Sequence, residues 1–148
     1  MMQTTLQKFG YPNSLVKEYK NWLLLCRQQQ VTLGSLVLIA KEEVTAFSAL
    51  SAESFSELNI VIKDIEKTLK RKFNYDKINY LMLMMIDPEV HFHVLPRYAD
   101  KQEFEGRTFV DQGWPMAPDL SASNEISAAS FEKLVSILKA TFGQRLLS

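Results

Sequence analysis

The chain has 148 residues, 17 basic and 17 acidic side chains, a formal net charge of zero, 47% hydrophobic residues and one cysteine. This is one domain's worth of chain, 1–148, able to bury a core without staples and too apolar for a disordered segment. The balanced charge gives no basic footprint for nucleic acid, and the longest apolar run, Tyr80 to Ile86, is too short to span a membrane. Cys26 alone excludes an internal disulfide and a thiolate zinc knuckle. The N-terminal residues carry no charged head followed by an apolar stretch. The expectation is a cytoplasmic domain that acts on a small molecule, with no nucleic-acid or membrane partner. The zero is not uniform: residues 1–41 carry five basic groups and one acidic, whereas residues 87–119 carry three basic and seven acidic.

In chain order, residues 1–20 read as a short helix or an irregular lead-in. Trp22 to Cys26 is a short, continuous apolar run and reads as a buried strand. Gln28-Gln29-Gln30 and Gly34 mark a connection, and Ser35 to Ala40 reads as the next strand, which makes an antiparallel hairpin. Phe55, Leu58, Ile62, Ile65, Leu69 and Phe73, widened by Val61, recur at helical spacing, with Ser54 or Ser51 as the cap. Lys63, Lys67, Lys70, Arg71 and Lys72 gather toward the C-terminal half of this helix, where the dipole favours cations, and read as a solvated face. Ile78 to Ile86 reads as a central strand with Met82, Met84 and Met85 in the core. Asp87-Pro88 turns the chain into an alternating strand, Val90 to Leu95, stopped by Pro96. Residues 99–125 read as loop, and a last helix follows with Phe131, Leu134, Val135, Leu138 and Phe142 on one side and Ser127 or Ser130 as its cap. Antiparallel strands with two helices packed on them define an α+β domain: an antiparallel sheet, a long central helix and a C-terminal helix. No glycine-rich turn follows a strand, so neither a dinucleotide fingerprint nor a P-loop is present.

Both histidines fall in the run Asp87-Pro88-Glu89-Val90-His91-Phe92-His93-Val94-Leu95-Pro96-Arg97. On a strand, Glu89, His91 and His93 share one face, and Val90, Phe92 and Val94 share the other. Two chemistries fit the first face. One is a metal-dependent hydrolase with Glu89, His91 and His93 as ligands, although the three would spread over about 13 Å along one strand. The other is nucleophilic catalysis, in which one imidazole attacks phosphorus and its neighbour manages protons and charge. Two adjacent histidines meet the second need without a third ligand.

His91-Phe92-His93-Val94-Leu95-Pro96-Arg97 resembles the signature of the histidine triad (HIT) hydrolases and transferases: three histidines separated by single apolar residues, often followed by Pro-Arg. The strand Leu33-Gly34-Ser35-Leu36-Val37-Leu38-Ile39-Ala40-Lys41 and the approach to the long helix, Leu50-Ser51-Ala52-Glu53, fall in that family's order, so the resemblance spans roughly residues 20–98. It implies a HIT-like fold, often a homodimer made by joining two sheets. It also implies a nucleotidyl hydrolase or transferase that acts on a nucleoside phosphate, dinucleoside polyphosphate or phosphoramidate, needing no metal or other cofactor. His91 matches the middle histidine, the nucleophile that becomes nucleotidylated. His93 matches the third, which supports the phosphate. Glu89 stands in place of the first histidine, as a candidate acid or a repulsive charge. The main-chain carbonyl that orients the nucleophile in the family survives that replacement. Arg27, where the family commonly has a ribose-binding Asn or Asp, joins Lys41 and Arg97 as a candidate substrate-binding cation. The phosphate-contacting Gly-Gln-Ser/Thr stretch is absent, and Ser35 replaces a frequent histidine. The alternative class is a non-catalytic nucleotide- or phosphate-binding module.

Overall fold

Every residue of Trp22–Cys26 and Leu36–Ala40 is buried, which is why neither run alternates in the sequence: both faces of these strands are covered. The computed structural model describes residues 4–143. Along the chain lie α1 (Thr4–Lys8), β1 (Leu15–Glu18), β2 (Trp22–Cys26), β3 (Leu36–Ala40), α2 (Ala52–Phe73), β4 (Lys77–Leu81), β5 (His91–Arg97), β6 (Gln102–Phe104), β7 (Arg107–Phe109) and α3 (Ala128–Gly143). β1 to β5 form one antiparallel sheet in the order β1-β2-β3-β5-β4, and β6 and β7 make a separate two-stranded ribbon. This is the α+β architecture expected, with the β2–β3 hairpin in place and Trp22 opposite Ala40.

Alternation sorts the sheet into two faces. Trp22, Leu24, Leu36, Leu38 and Val94 meet Val61, Ile65 and Leu69 of α2 and Leu134 and Leu138 of α3 in the larger core. Each fully buried aliphatic side chain there contributes about 1.5–3 kcal/mol over leaving it in water. Leu23, Leu25, Val37 and Ile39 point the other way, under Leu6 of α1 and its neighbours Phe9 and Tyr11. β5 runs alongside β3, with Ile39 opposite His91 and Val37 opposite His93, so the histidines share the thinly covered face.

The long helix begins at Ser51, whose Oγ accepts from the Ser54 backbone N–H at 3.1 Å, so Ser51 rather than Ser54 is the cap. It ends at Asn74, which takes the left-handed conformation at φ 50°. The five cations of its C-terminal half are exposed. Phe55, placed in the apolar stripe by spacing, is 41% exposed and rests on Phe47 instead, with ring centroids 5.4 Å apart. Ser127 caps α3, its Oγ accepting from the Ser130 N–H at 3.1 Å.

Three expectations are corrected. The apolar run Ile78 to Ile86 is not one central strand: β4 is the edge strand and stops at Leu81. The chain then leaves the sheet through Met84 at φ 49°, with Met85 84% and Ile86 85% exposed. Only Met82 and Met84 of the three methionines pack against the core. β5 is not stopped by Pro96 but continues to Arg97, because Pro96 lies past the last β3 pair, where only β4 is a neighbour. Finally, residues 99–125 contain the β6–β7 hairpin, turned by Glu105 and Gly106 at φ 50° and 74°.

Candidate active site

His91 is 2% and His93 7% exposed, and their rings lie 5.2 Å apart, nearly perpendicular. His91 Nδ1 is 2.7 Å from the Glu89 main-chain oxygen. A carbonyl can only accept, so Nδ1 carries the proton and Nε2 keeps its lone pair, the form an attacking imidazole needs. His93 Nδ1 meets the Arg27 Nε–H at 3.3 Å. Burial, then the charge of Arg27, then His91 and Lys8 push the His93 pKa down to about 4, against the opposing pull of Asp87. His93 is therefore neutral at physiological pH.

Glu89 lies in the bend just before β5, and its carboxylate turns toward α1. One oxygen accepts from the Thr4 hydroxyl at 2.9 Å and the other from the Thr5 hydroxyl at 2.7 Å. Burial alone would raise this carboxyl's pKa. The Thr5 and Thr4 hydroxyls, together with backbone N–H groups, outweigh it and hold the carboxyl below its ordinary value. A second tie, Lys8 to Asp87 at 2.7 Å, fixes the end of the same helix. Together they carry Phe9 over the site, 6.2 Å from the His91 ring, 5.8 Å from the His93 ring and 5.9 Å from the Arg27 guanidinium.

The result is a cleft of about 220 Å³ lined by Lys8, Phe9, Arg27, His91 and His93, with the exposed segment after β4 and Leu120 at its margin. Of the three cations read from the sequence, Arg27 lines this cleft. Lys41 instead pairs with Glu18 at 2.6 Å, and its side chain is not part of the cleft wall. Arg97 is buried elsewhere on β5: Nε and Nη2 hold Asp111 at 2.6 and 3.0 Å, Nη1 meets Asn79 at 2.7 Å and Nη2 also meets the Met116 oxygen at 2.9 Å. Trp114 borders a second cleft there, away from the histidines. Lys8 and Phe9 were not legible as site residues, because contacts between segments 79 to 85 residues apart in sequence, Thr4 and Thr5 to Glu89 and Lys8 to Asp87, bring them over β5. No three His, Cys, Asp or Glu side chains among the described residues come together as a metal-binding group. Among the described residues no helix is long and apolar enough to cross a membrane.

Paired imidazoles on a sheet strand, the first oriented by a main-chain carbonyl two residues before it, define a histidine-motif site of the kind the sequence resembles. Residues 10–100 match the family model of the HIT domain, and the chain belongs to the HIT family. Solved structures share the fold. A histidine triad protein from Bradyrhizobium japonicum superposes with a TM-score of 0.67 at 17% identity, covering 96% of this chain and 97% of that one. Plasmodium falciparum diadenosine triphosphate hydrolase gives 0.64 at 12% identity, over 87% of this chain and 76% of that one. The C. elegans NitFhit protein gives 0.64 at 16% identity over 87% of this chain, which spans only 27% of that longer chain. No curated protein sequence matches the chain.

Proposed function

We propose that the protein is a nucleotidyl hydrolase or transferase that acts on a nucleoside phosphate, dinucleoside polyphosphate or phosphoramidate. The observation that carries this reading is the 2.7 Å contact between His91 Nδ1 and the Glu89 carbonyl. The acceptor is backbone, so replacing the first motif histidine by glutamate leaves the nucleophile oriented. His91 Nε2 attacks the α-phosphorus, a P–N bond forms, and the bond to the leaving group breaks with its electron pair. Water, or another hydroxyl acceptor in a transferase, then attacks the same phosphorus; the P–N bond breaks with its electron pair returning to His91 Nε2, and the proton lost by the attacking hydroxyl passes to solvent. His93, neutral and buried, supports the phosphoryl oxygens, and Lys8 and Arg27 supply the positive charge of the cleft. Glu89 acts as the anchor of α1 and not as the acid, since its carboxyl is held ionised by two threonine hydroxyls. The same contacts turn it away from a metal-ligand role. The edge position of β4 in the sheet supports the homodimer that the family resemblance implies. The substrate is a small nucleotide and the setting cytoplasmic.

The test is trapping. A dinucleoside polyphosphate or nucleoside phosphoramidate carrying label on its α-phosphorus is mixed with the protein and quenched in alkali, which preserves a histidine–phosphorus bond. Label is expected on the wild type and none on His91→Ala, with turnover down by about a thousandfold or more, the scale of losing a nucleophile. Nucleotide binding without label in either protein would support the binding-module reading instead.

A further inference from the structure

We propose that Arg27 is a positioning residue for His93. By donating its Nε–H to His93 Nδ1, it keeps that ring neutral with its single proton on Nε2, so that neighbouring histidines are held in opposite tautomers. His91 then presents a lone pair and His93 presents an N–H. This rests on the reading of His91 as nucleophile, and it assigns Arg27 a task other than binding substrate directly.

The geometry leaves His93 one arrangement. A guanidinium has only donors and stays protonated, so the nitrogen that faces it at 3.3 Å must be the acceptor and the proton must sit on the other. Arg27 is not a loose surface cation. Its Nη1 donates to the Gln29 oxygen at 3.0 Å, its backbone N–H meets the Ser35 oxygen at 2.9 Å, and its own carbonyl accepts from the side chain of the buried Gln30. That amide also gathers Gly34 and Ser35, so the whole β2–β3 turn braces the guanidinium. Phe9, directly after α1, covers both partners, edge-on to the His93 ring.

Protonating His93 would set a second N–H against the guanidinium and break the bond that orients the ring. Charged and titratable groups facing His93 come from each neighbouring element: Arg27 after β2, Lys8 from α1, His91 on β5 and Asp87 from the loop before β5. Three of these are or can be positive, and Asp87, the acidic one, is already paired with Lys8. The low ionisation range of His93 agrees with this arrangement. The consequence is a constant donor across neutral pH: Nε2–H offers a hydrogen bond to charge that grows on the phosphoryl oxygens, without His93 ever becoming a cation there.

With two histidines in the chain, long-range ¹H–¹⁵N correlation spectra of the full-length protein resolve both rings, and His91→Ala assigns them. The wild type is expected to show His93 as the Nε2–H tautomer, unchanged from pH 8 to 5.5. In Arg27→Met, that ring should become a tautomer mixture whose titration midpoint rises by about one unit. Arg27→Lys keeps the charge and most of the stem but not the planar Nε–H, so it should mix the tautomers while raising the midpoint less. Turnover should fall about tenfold or more in kcat in both variants, with KM changed less than about threefold in Arg27→Lys, which keeps the charge of the cleft. A wild-type His93 carrying its proton on Nδ1, or a tautomer unchanged in Arg27→Met with the amide spectrum preserved, overturns the proposal. So does a loss confined to KM. The spectra need no turnover, so a pinned ring in a protein that forms no nucleotidyl-histidine would sink the proposed activity and leave the role of Arg27 standing.

Discussion

Arg27 and Arg97 lie on the same face of one sheet, yet they meet opposite partners. Arg97 finds a carboxylate, an amide oxygen and a main-chain oxygen, and its side chain and that of Asp111 are 4% and 1% exposed. All three guanidinium nitrogens donate, and the pair locks the segment after β7 to β5. Arg27 finds an imidazole, which offers one lone pair and no charge, and it remains half-buried at the wall of a cleft. Burial lowers its pKa, with no carboxylate paired to it among the described residues. A guanidinium clamped on a buried carboxylate is structure; one whose Nε–H faces an imidazole acts on the state of that ring.

This contrast can be broken in several ways. The largest stability effect belongs to Arg97→Met, which strands the Asp111 carboxylate in the interior and should cost about 3–5 kcal/mol in urea unfolding, with the His93 tautomer untouched. Replacing both partners by apolar residues should recover much of that loss. If Arg97→Met unfolds as easily as the wild type, the two arginines are not different in kind. The next effect is pH-dependent. His93 titrates near 4 in the fold and near the ordinary 6.5 once unfolded. The unfolded chain therefore binds the extra proton first, and the stability from the neutral ring is complete above pH 6.5 and lost as pH falls through 4. Between pH 7 and 4.5 the wild type should lose about 2–3 kcal/mol more than His93→Gln does. Arg27→Met should shrink that difference only in part, because burial is the larger cause. The smallest effect is Gly34→Ala. Gly34 holds φ +88°, and an added Cβ would lie 3.0 Å from the Phe73 ring and 3.4 Å from Pro96, for a loss of about 1–2 kcal/mol by thermal unfolding. Because its turn also braces Arg27, this variant should broaden the His93 signals while leaving Arg97 and Asp111 paired.

What could be read from the residues follows from period and partner. The shared face of His91 and His93 follows from alternation alone, and the long helix from its apolar spacing. The order of the family motif supplied the carbonyl at Glu89. Period could not divide Ile78 to Ile86 into an edge strand and an exposed lip, because both are apolar and only the sheet order distinguishes them. The β6–β7 hairpin was hidden because Glu105-Gly106 is not one of the common two-residue turn pairs. Charge type did not foretell the separate fates of Arg27, Lys41 and Arg97, which depend on Asp111, Glu18 and a ring nitrogen brought from far along the chain.

The latch between Glu89 and the two threonines has a practical meaning for anyone handling the protein. Residues 4 to 9 help wall the histidine cleft, tied to the segment before β5 by Thr4, Thr5 and Lys8 and resting on the sheet through Leu6 and Phe9. An affinity handle fused just ahead of Thr4 emerges within one short helix of His91 and His93. Preparations that differ only in which end carries the tag should differ in rate, and trimming the first nine residues should open the cleft while sparing the larger core.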